Sequence, residues 1–347
     1  MHPSDRDQSV GVQELKLLRD EIGDEMGRRL IDSFQNNASD YEKILRFHFD
    51  WPLTGTVAIR SGKKTRPLLT MIVANAVCGR HEHVLAEAVC LELIHNASLI
   101  LDDVMDRDEV RRGRPSVWKR WNQGMATTAG VALFTGALSG YERATQRPDA
   151  RARAILLDAA TETCMAQLID LQMETEIVRE VEKTINVAVG RCALMTAATQ
   201  LGALLSGAND VAVEEFREFG RCLSVARALS NDYRDIWGAI DETGNPAGGD
   251  IFQRKKTFPL VYALQHSTAA VRDELLEFFL QSRAISQDDV IRICALLSRA
   301  GANRATLEEI ETHRSRALQH LDAAGIRNPW TAYLRNLLYD ASLTAVN

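Results

Sequence analysis

Apolar residues recur at helical spacing along almost the whole chain, and no stretch keeps up the alternation of a strand. From Val10 to about Phe34, the positions Val12, Leu15, Leu18, Ile22, Met26 and Leu30 share one helical face. A second, short helix is expected near Tyr41–Phe49, broken by Trp51-Pro52-Leu53-Thr54-Gly55. The pattern then predicts helices at about Leu68–Val77, which Pro67 is placed to open, and at His81–Arg107. Thr127–Arg143, Ala150–Arg179, Val181–Leu205 and Val211–Ile240 follow, and further helices run from about Pro259 to the end. Residues 1–9 read as a flexible tail and 10–347 as a single all-α domain of ten or more helices. Two basic loops, Ser61–Pro67 and Arg111–Pro115, and one turn-rich loop, Asp241–Gly249, interrupt the helical rhythm.

Composition agrees with this reading. Of 347 residues 46% are hydrophobic and 25% charged, while only 8 are proline and 6% aromatic, which favours helix over sheet. A net charge of −6 argues against nucleic acid as a partner, because phosphate backbones need a basic footprint. The six cysteines are scattered through apolar helical stretches without paired spacing, as expected of free thiols in a reducing compartment. The N-terminus lacks an apolar signal region, and no apolar run approaches the roughly 20 residues of a membrane span. A cytoplasmic protein with no transmembrane segment is expected.

One stretch departs from ordinary amphipathic patterning. In Leu99-Ile100-Leu101-Asp102-Asp103-Val104-Met105-Asp106, Asp102 and Asp106 lie one helical turn apart on one face. A solvated acidic face would intersperse both signs of charge, whereas here the surroundings are apolar or small. Carboxylates set among Leu, Ile, Val and Met are costly to bury without compensation, and paired oxygens suit Mg²⁺. Asn231 and Asp235 repeat the one-turn spacing on the helix Val211–Ile240. Three basic elements accompany the two pairs: Lys63 with Arg66, Arg111 with Arg112, and Lys255 with Lys256. Acidic pairs facing basic clusters suggest a cavity that holds metal ions and anionic oxygens, as phosphate chemistry requires.

These residues carry a resemblance. His95-Asn96-Ala97-Ser98-Leu99-Ile100-Leu101-Asp102-Asp103-Val104-Met105-Asp106, continuing to Arg111-Arg112-Gly113-Arg114-Pro115, resembles the first aspartate-rich motif of the trans-isoprenyl diphosphate synthases, the polyprenyl synthetase family. Gly62-Lys63-Lys64-Thr65-Arg66-Pro67 is similar to that family's Gly-Lys-x-x-Arg-Pro loop. Asn231-Asp232-Tyr233-Arg234-Asp235 stands where the second aspartate-rich motif belongs, and Lys255-Lys256-Thr257-Phe258-Pro259 matches the segment after it. The resemblance implies long antiparallel helices around a deep central cavity, usually in a homodimer. It also implies Mg²⁺, three ions per site, with allylic diphosphate and isopentenyl diphosphate as substrates.

Carried over position by position, Asp102, Asp106, Asn231 and Asp235 would hold the metal, with Asp102, Asp106 and Lys255 central to catalysis. Arg111, Arg191 and Lys255 would share the allylic diphosphate. Lys63, Arg66, His95 and Arg112 would hold that of isopentenyl diphosphate. Chain length in the family is limited just upstream of the first motif, where Ala97 and Ser98 stand; their small size suggests geranylgeranyl diphosphate or longer. The second motif departs from the pattern: Asn231 replaces an aspartate, and Arg227-Ala228 replaces the usual Phe-Gln. Leu101 stands where His often precedes the first Asp pair, and Arg191-Cys192 where Lys-Thr is common. These changes raise two alternatives, a class I terpene cyclase on the same fold and a weakly active subunit that partners a synthase.

Overall fold

The computed structural model describes residues 10–34, 39–52, 57–145, 149–175, 180–238, 248–280 and 283–339. The expected tail 1–9 and all but the last two residues of the expected loop Asp241–Gly249 lie outside them. Among the described residues the chain forms sixteen α-helices and one two-stranded hairpin. The first half comprises α1 (Val12–Phe34), α2 (Ser39–His48), α3 (Thr65–Cys78), α4 (Leu85–Met105), β1 (Val110–Arg111), β2 (Arg114–Pro115), α5 (Val117–Arg120), α6 (Gln123–Ala144) and α7 (Ala150–Thr175). The second comprises α8 (Val181–Arg191), α9 (Ala193–Leu205), α10 (Asp210–Trp237), α11 (Gly249–Phe252), α12 (Phe258–His266), α13 (Ala269–Leu280), α14 (Gln287–Arg299), α15 (Ala302–Ala323) and α16 (Pro329–Leu337).

Side-chain caps fix several starts. Asn122 accepts from Met125 N–H at 2.9 Å to open α6, and Asn209 accepts from Ala212 N–H at 2.9 Å to open α10. Ser286 with Asp289, and Asn328 with Thr331, form capping boxes on α14 and α16. Gly79 ends α3 in the left-handed conformation, its N–H on the Asn75 carbonyl at 3.0 Å.

The helix α4 is the centre of the bundle. Val89, Leu91, Ile94, Ala97 and Ile100 have no solvent exposure, and burying each large aliphatic side chain stabilises by roughly 1.5–3 kcal/mol. That gain lets the same helix carry carboxylates at its C-terminal end. Against the sequence reading, Glu82–Met105 has the length and hydropathy of a membrane span, but neighbouring helices bury most of it, as suits a core helix. Its first turn is a 3-10 segment, so the expected helix from His81 starts at Leu85 and ends at Met105.

The expected single helix Val181–Leu205 is two helices, α8 and α9, bent by 52° at Cys192. Apolar periodicity runs through the bend, and no proline marks it. Small residues then draw three helices together: a Cβ on Gly202 of α9 would lie 2.5 Å from the Thr70 carbonyl of α3. One on Gly220 of α10 would lie 2.1 Å from Thr199 Oγ1 of α9. At the bend, Arg66 of α3, Arg191 at the end of α8 and Arg227 of α10 all act on Cys192. Arg111–Pro115, expected as a loop, is the hairpin, pairing Arg111 with Arg114 across a turn at Arg112 (φ 54°) and Gly113 (φ 72°). Positive φ at both turn residues matches a tight two-residue hairpin.

Candidate active site

Six carboxylates from four helices share one acidic wall. Asp102 and Asp106 close α4, Asp170 comes from α7, Asp232 and Asp235 from α10, and Asp250 from α11. Burial, and then the neighbouring Asp106, push the Asp102 carboxyl up to about 7, while Arg191 and Arg111 hold the rise back. Burial raises Asp106 as well, opposed by Lys255. Burial also raises Asp232 and Asp250, which repel each other, and Arg191 opposes both. Asp235 is raised by burial, yet accepts the N–H groups of Gly249 at 3.1 Å and Asp250 at 3.0 Å. These two bonds tie α11 to α10 and so aim Lys255, whose Nζ lies 3.8 Å from Asp250. Arg191, at the bend, forms an ion pair with Asp170 and acts on Asp102, Asp106, Asp232 and Asp250. The structure thus brings together Asp102, Asp106, Asp235, Arg191 and Lys255 as expected, with Asn231 on the same helix face.

A second, cationic wall lies along α4 toward its N-terminus. Arg66 at the start of α3, Lys64 and Arg112 all act on Glu92, which is 5% exposed. Burial raises the Glu92 carboxyl and the three cations oppose the rise. Asn96 donates to the Glu92 carbonyl at 2.8 Å and to Glu92 Oε1 at 3.3 Å. Its own Oδ1 lies 3.1 Å from His48 Nε2, which must then carry the proton and donate. Burial and Arg112 push His48 down to about 3, and burial, Arg66 and Arg112 hold His95 well below its usual range. Both imidazoles are neutral at pH 7. The left-handed turn sets adjacent arginines to different tasks: Arg111 Nε donates to the fully buried Asp103 at 2.8 Å, while the charge of Arg112 acts on Glu92. Lys63 is half-buried, and burial with Arg227 and Arg234 lowers its ammonium. Lys64 turns inward, 3% exposed, with Nζ on the Ser61 carbonyl at 2.8 Å.

Of the residues expected near the chain-length floor, Ala97 is fully buried in the seam between α4 and α6, with its carbonyl 3.5 Å from where a Gly130 Cβ would stand. Ser98 is half-buried. Asn231 Oδ1 accepts from Arg234 Nη2 at 2.8 Å, so a metal there would share its oxygen with a guanidinium. Sequence reasoning missed Asp103, Asp170, Glu92, Asn96 and His48. Asp170 carries one available signal: Gln167 and Asp170 lie one turn apart on α7, and Gln167 Nε2 points to Asp106 at 3.4 Å.

An acidic wall of this kind fits a hard divalent cation. Burial alone does not explain the rise at Asp102; like charge from Asp106 adds to it, and a bound ion would relieve both. The cationic wall offers guanidinium groups to an anion, and Arg66 Nε is buried there without a hydrogen-bond partner. A site for a cation and a site for an anion thus share one helix.

The polyprenyl synthetase family profile matches residues 53–297 of the chain. A (2E,6E)-farnesyl diphosphate synthase of Mycobacterium tuberculosis is 30% identical over 302 residues, 85% of this chain and 84% of that protein. A geranylgeranyl diphosphate synthase of the same organism is 32% identical over 296 residues, 84% of each chain. The crystal structure of a polyprenyl synthetase from Streptomyces coelicolor superposes with a TM-score of 0.82 at 27% identity, covering 97% of this chain and 100% of that one. Motif order, the two opposed walls and these matches agree: the chain belongs to the polyprenyl synthetase family and is a prenyltransferase.

Proposed function

We propose that this chain condenses an allylic diphosphate with isopentenyl diphosphate to form a longer trans-polyprenyl diphosphate, geranylgeranyl diphosphate or longer. One observation carries the reading: α4 presents the cationic group around Glu92 and His95 and the acidic group at Asp102 and Asp106 on a single rod. His95 and Asp102 are seven residues apart, two turns or about 10 Å along the axis. That spacing suits two diphosphates held side by side, one by cations and one by cations with metal.

In this mechanism Asp102, Asp106 and Asp235, with Asp250 beside them, would hold Mg²⁺ through their carboxylate oxygens. Asn231, whose oxygen is held by Arg234, drops out of the expected set. Bound magnesium supplies positive charge against the departing diphosphate. Arg191, Arg111 and Lys255 share the allylic diphosphate, oriented by Asp170, Asp103 and Asp250. Lys63, Arg66 and Arg112 bind the diphosphate of isopentenyl diphosphate, and neutral His95 donates a hydrogen bond to it. The allylic carbon–oxygen bond breaks with its electron pair leaving on oxygen, and the acceptor double bond attacks the cationic carbon. Transfer of a proton from the condensed carbon skeleton to an oxygen of the departed diphosphate completes the product. Preorganised charge favours the step because negative charge grows on the leaving group as the bond stretches.

Several features support the rest of the proposal. Exposed Val131 on α6 and Leu157, Met165 and Leu168 on α7 offer an apolar face to a second copy, giving a homodimer that light scattering tests. The six cysteines are free, as suits the cytoplasm. Incubation with each allylic diphosphate, with and without isopentenyl diphosphate, followed by mass analysis, is the deciding experiment. Products that require isopentenyl diphosphate support the synthase. Hydrocarbons or alcohols formed without it support the cyclase that a neutral Asn231 favours, and activity appearing only on mixing with an active synthase marks a partner subunit. Ser98→Phe is expected to shorten the product; Ala97→Phe is expected to destabilise by about 1–3 kcal/mol, since it overfills the α4–α6 seam.

A further inference from the structure

Where the second aspartate-rich motif is expected to hold a metal, α10 brings a guanidinium. Arg234 Nη2 donates to Asn231 Oδ1 at 2.8 Å, and Arg234 Nε donates to the Ser230 carbonyl at 3.2 Å. The one oxygen Asn231 has for a metal therefore already carries a positive partner. A divalent ion on that oxygen would sit in direct repulsion with the guanidinium, and an asparagine, unlike an aspartate, brings no charge to separate them. Asp235, one turn on, is engaged by the N–H groups of Gly249 and Asp250. Arg227 lies two turns before Arg234 on α10, and both arginines act on the Lys63 ammonium across the site. This end of α10 thus sets two guanidinium groups beside the carboxylates Asp232 and Asp235, where the motif leads one to expect a bound ion. A guanidinium offers five N–H donors in a planar fork that matches phosphate oxygens, so it neutralises diphosphate charge as a metal does, without a ligand shell.

We propose that this chain binds two magnesium ions per diphosphate rather than three, with the Arg234 guanidinium, seated on Asn231, taking the place of the third. The inference rests on the prenyl-transfer reading and sharpens its metal requirement. Arg227 adds a second fixed positive charge to the same wall.

Equilibrium dialysis tests it, with Mn²⁺ as the probe ion and inorganic pyrophosphate as the ligand, both counted per chain on the purified full-length protein. Two Mn²⁺ per bound pyrophosphate are expected in the wild type, and three in the double variant Asn231→Asp with Arg234→Ser, its folding checked by a melting curve. Three ions in the wild type would overturn the inference, as would two in a folded double variant. Arg234→Ser alone gives an independent reading: pyrophosphate affinity without any metal is expected to fall about tenfold or more, the loss of a charged hydrogen bond. Unchanged affinity there also overturns it. If the wild type binds no pyrophosphate under any condition, the prenyl-transfer reading itself fails, an outcome distinct from a wrong ion count.

Discussion

The two walls of the site differ in how their charge is settled. Around Glu92, the protein supplies both signs itself: Lys64, Arg66 and Arg112 surround one buried carboxylate, and Asn96 and His48 fix that carboxylate in place. At Asp102 and Asp106 the balance is left open: six carboxylates face Arg191, Lys255 and Arg111, and burial with like charge raises Asp102, Asp106, Asp232 and Asp250. The first wall is built to be complete before substrate arrives. The second is finished by what binds to it. In the same bundle, then, preorganised and ligand-completed electrostatics sit two helical turns apart.

The comparison breaks most visibly at Asp102. Asp102→Ala is expected to lower turnover by about 10²–10³-fold, the scale of losing a principal transition-state stabiliser, with pyrophosphate binding in the absence of metal retained. Steady-state kinetics beside a metal-free binding assay checks both halves. Arg112→Ala is the reciprocal test: KM for isopentenyl diphosphate should rise about 10-fold or more and KM for the allylic substrate stay nearly constant, as expected for one charged hydrogen bond. Equal effects on both constants would mean that the walls are not separate. A smaller effect is expected from Glu92→Gln, which removes the counter-charge under Arg66 and Arg112 and should cost about 1–3 kcal/mol of stability by chemical denaturation.

The subtlest test is pH. The folded chain keeps protons on Asp102, up to about 7, that an unfolded chain releases at the ordinary carboxylate range. Between those values the native state holds more protons, so metal-free stability falls as pH rises through that window. Melting temperatures without metal are expected to decline from pH 5 to 7, and Asp102→Asn should flatten the decline. Magnesium with pyrophosphate should flatten it too, because the ion stabilises the ionised form.

How much of this was legible depended on whether a feature had a period or a charge pattern. Asp102 and Asp106 were legible because one-turn spacing against an apolar background is unusual, and Arg111–Arg112 because they follow directly. Glu92 was not: one charge in an apolar run looks the same whether it faces water or lies beneath three cations from other segments. The bend at Cys192 was hidden because Val181–Leu205 keeps a single apolar rhythm, and packing of Gly190 against Ala166 carries no sequence signature. The hairpin at Arg111–Pro115 is too short to alternate, and Arg112 at positive φ is not a residue that advertises a turn. Asn231 was recognised as a departure, but its bond to Arg234 is a side-chain choice that spacing alone leaves open.

Because α4 carries Glu92, His95, Asp102 and Asp106 on one continuous helix, the reading frame of that helix is itself part of the site. Inserting a single residue between His95 and Asp102 would turn one wall by about 100° relative to the other and slide it about 1.5 Å. No adjustment of the surrounding loops compensates a rotation of that size. The hairpin after α4 is held by the same rule, because its turn at Arg112 and Gly113 sends Arg111 to Asp103 and Arg112 toward Glu92. The count of residues between the two walls is therefore as much a part of the site as the side chains that it spaces.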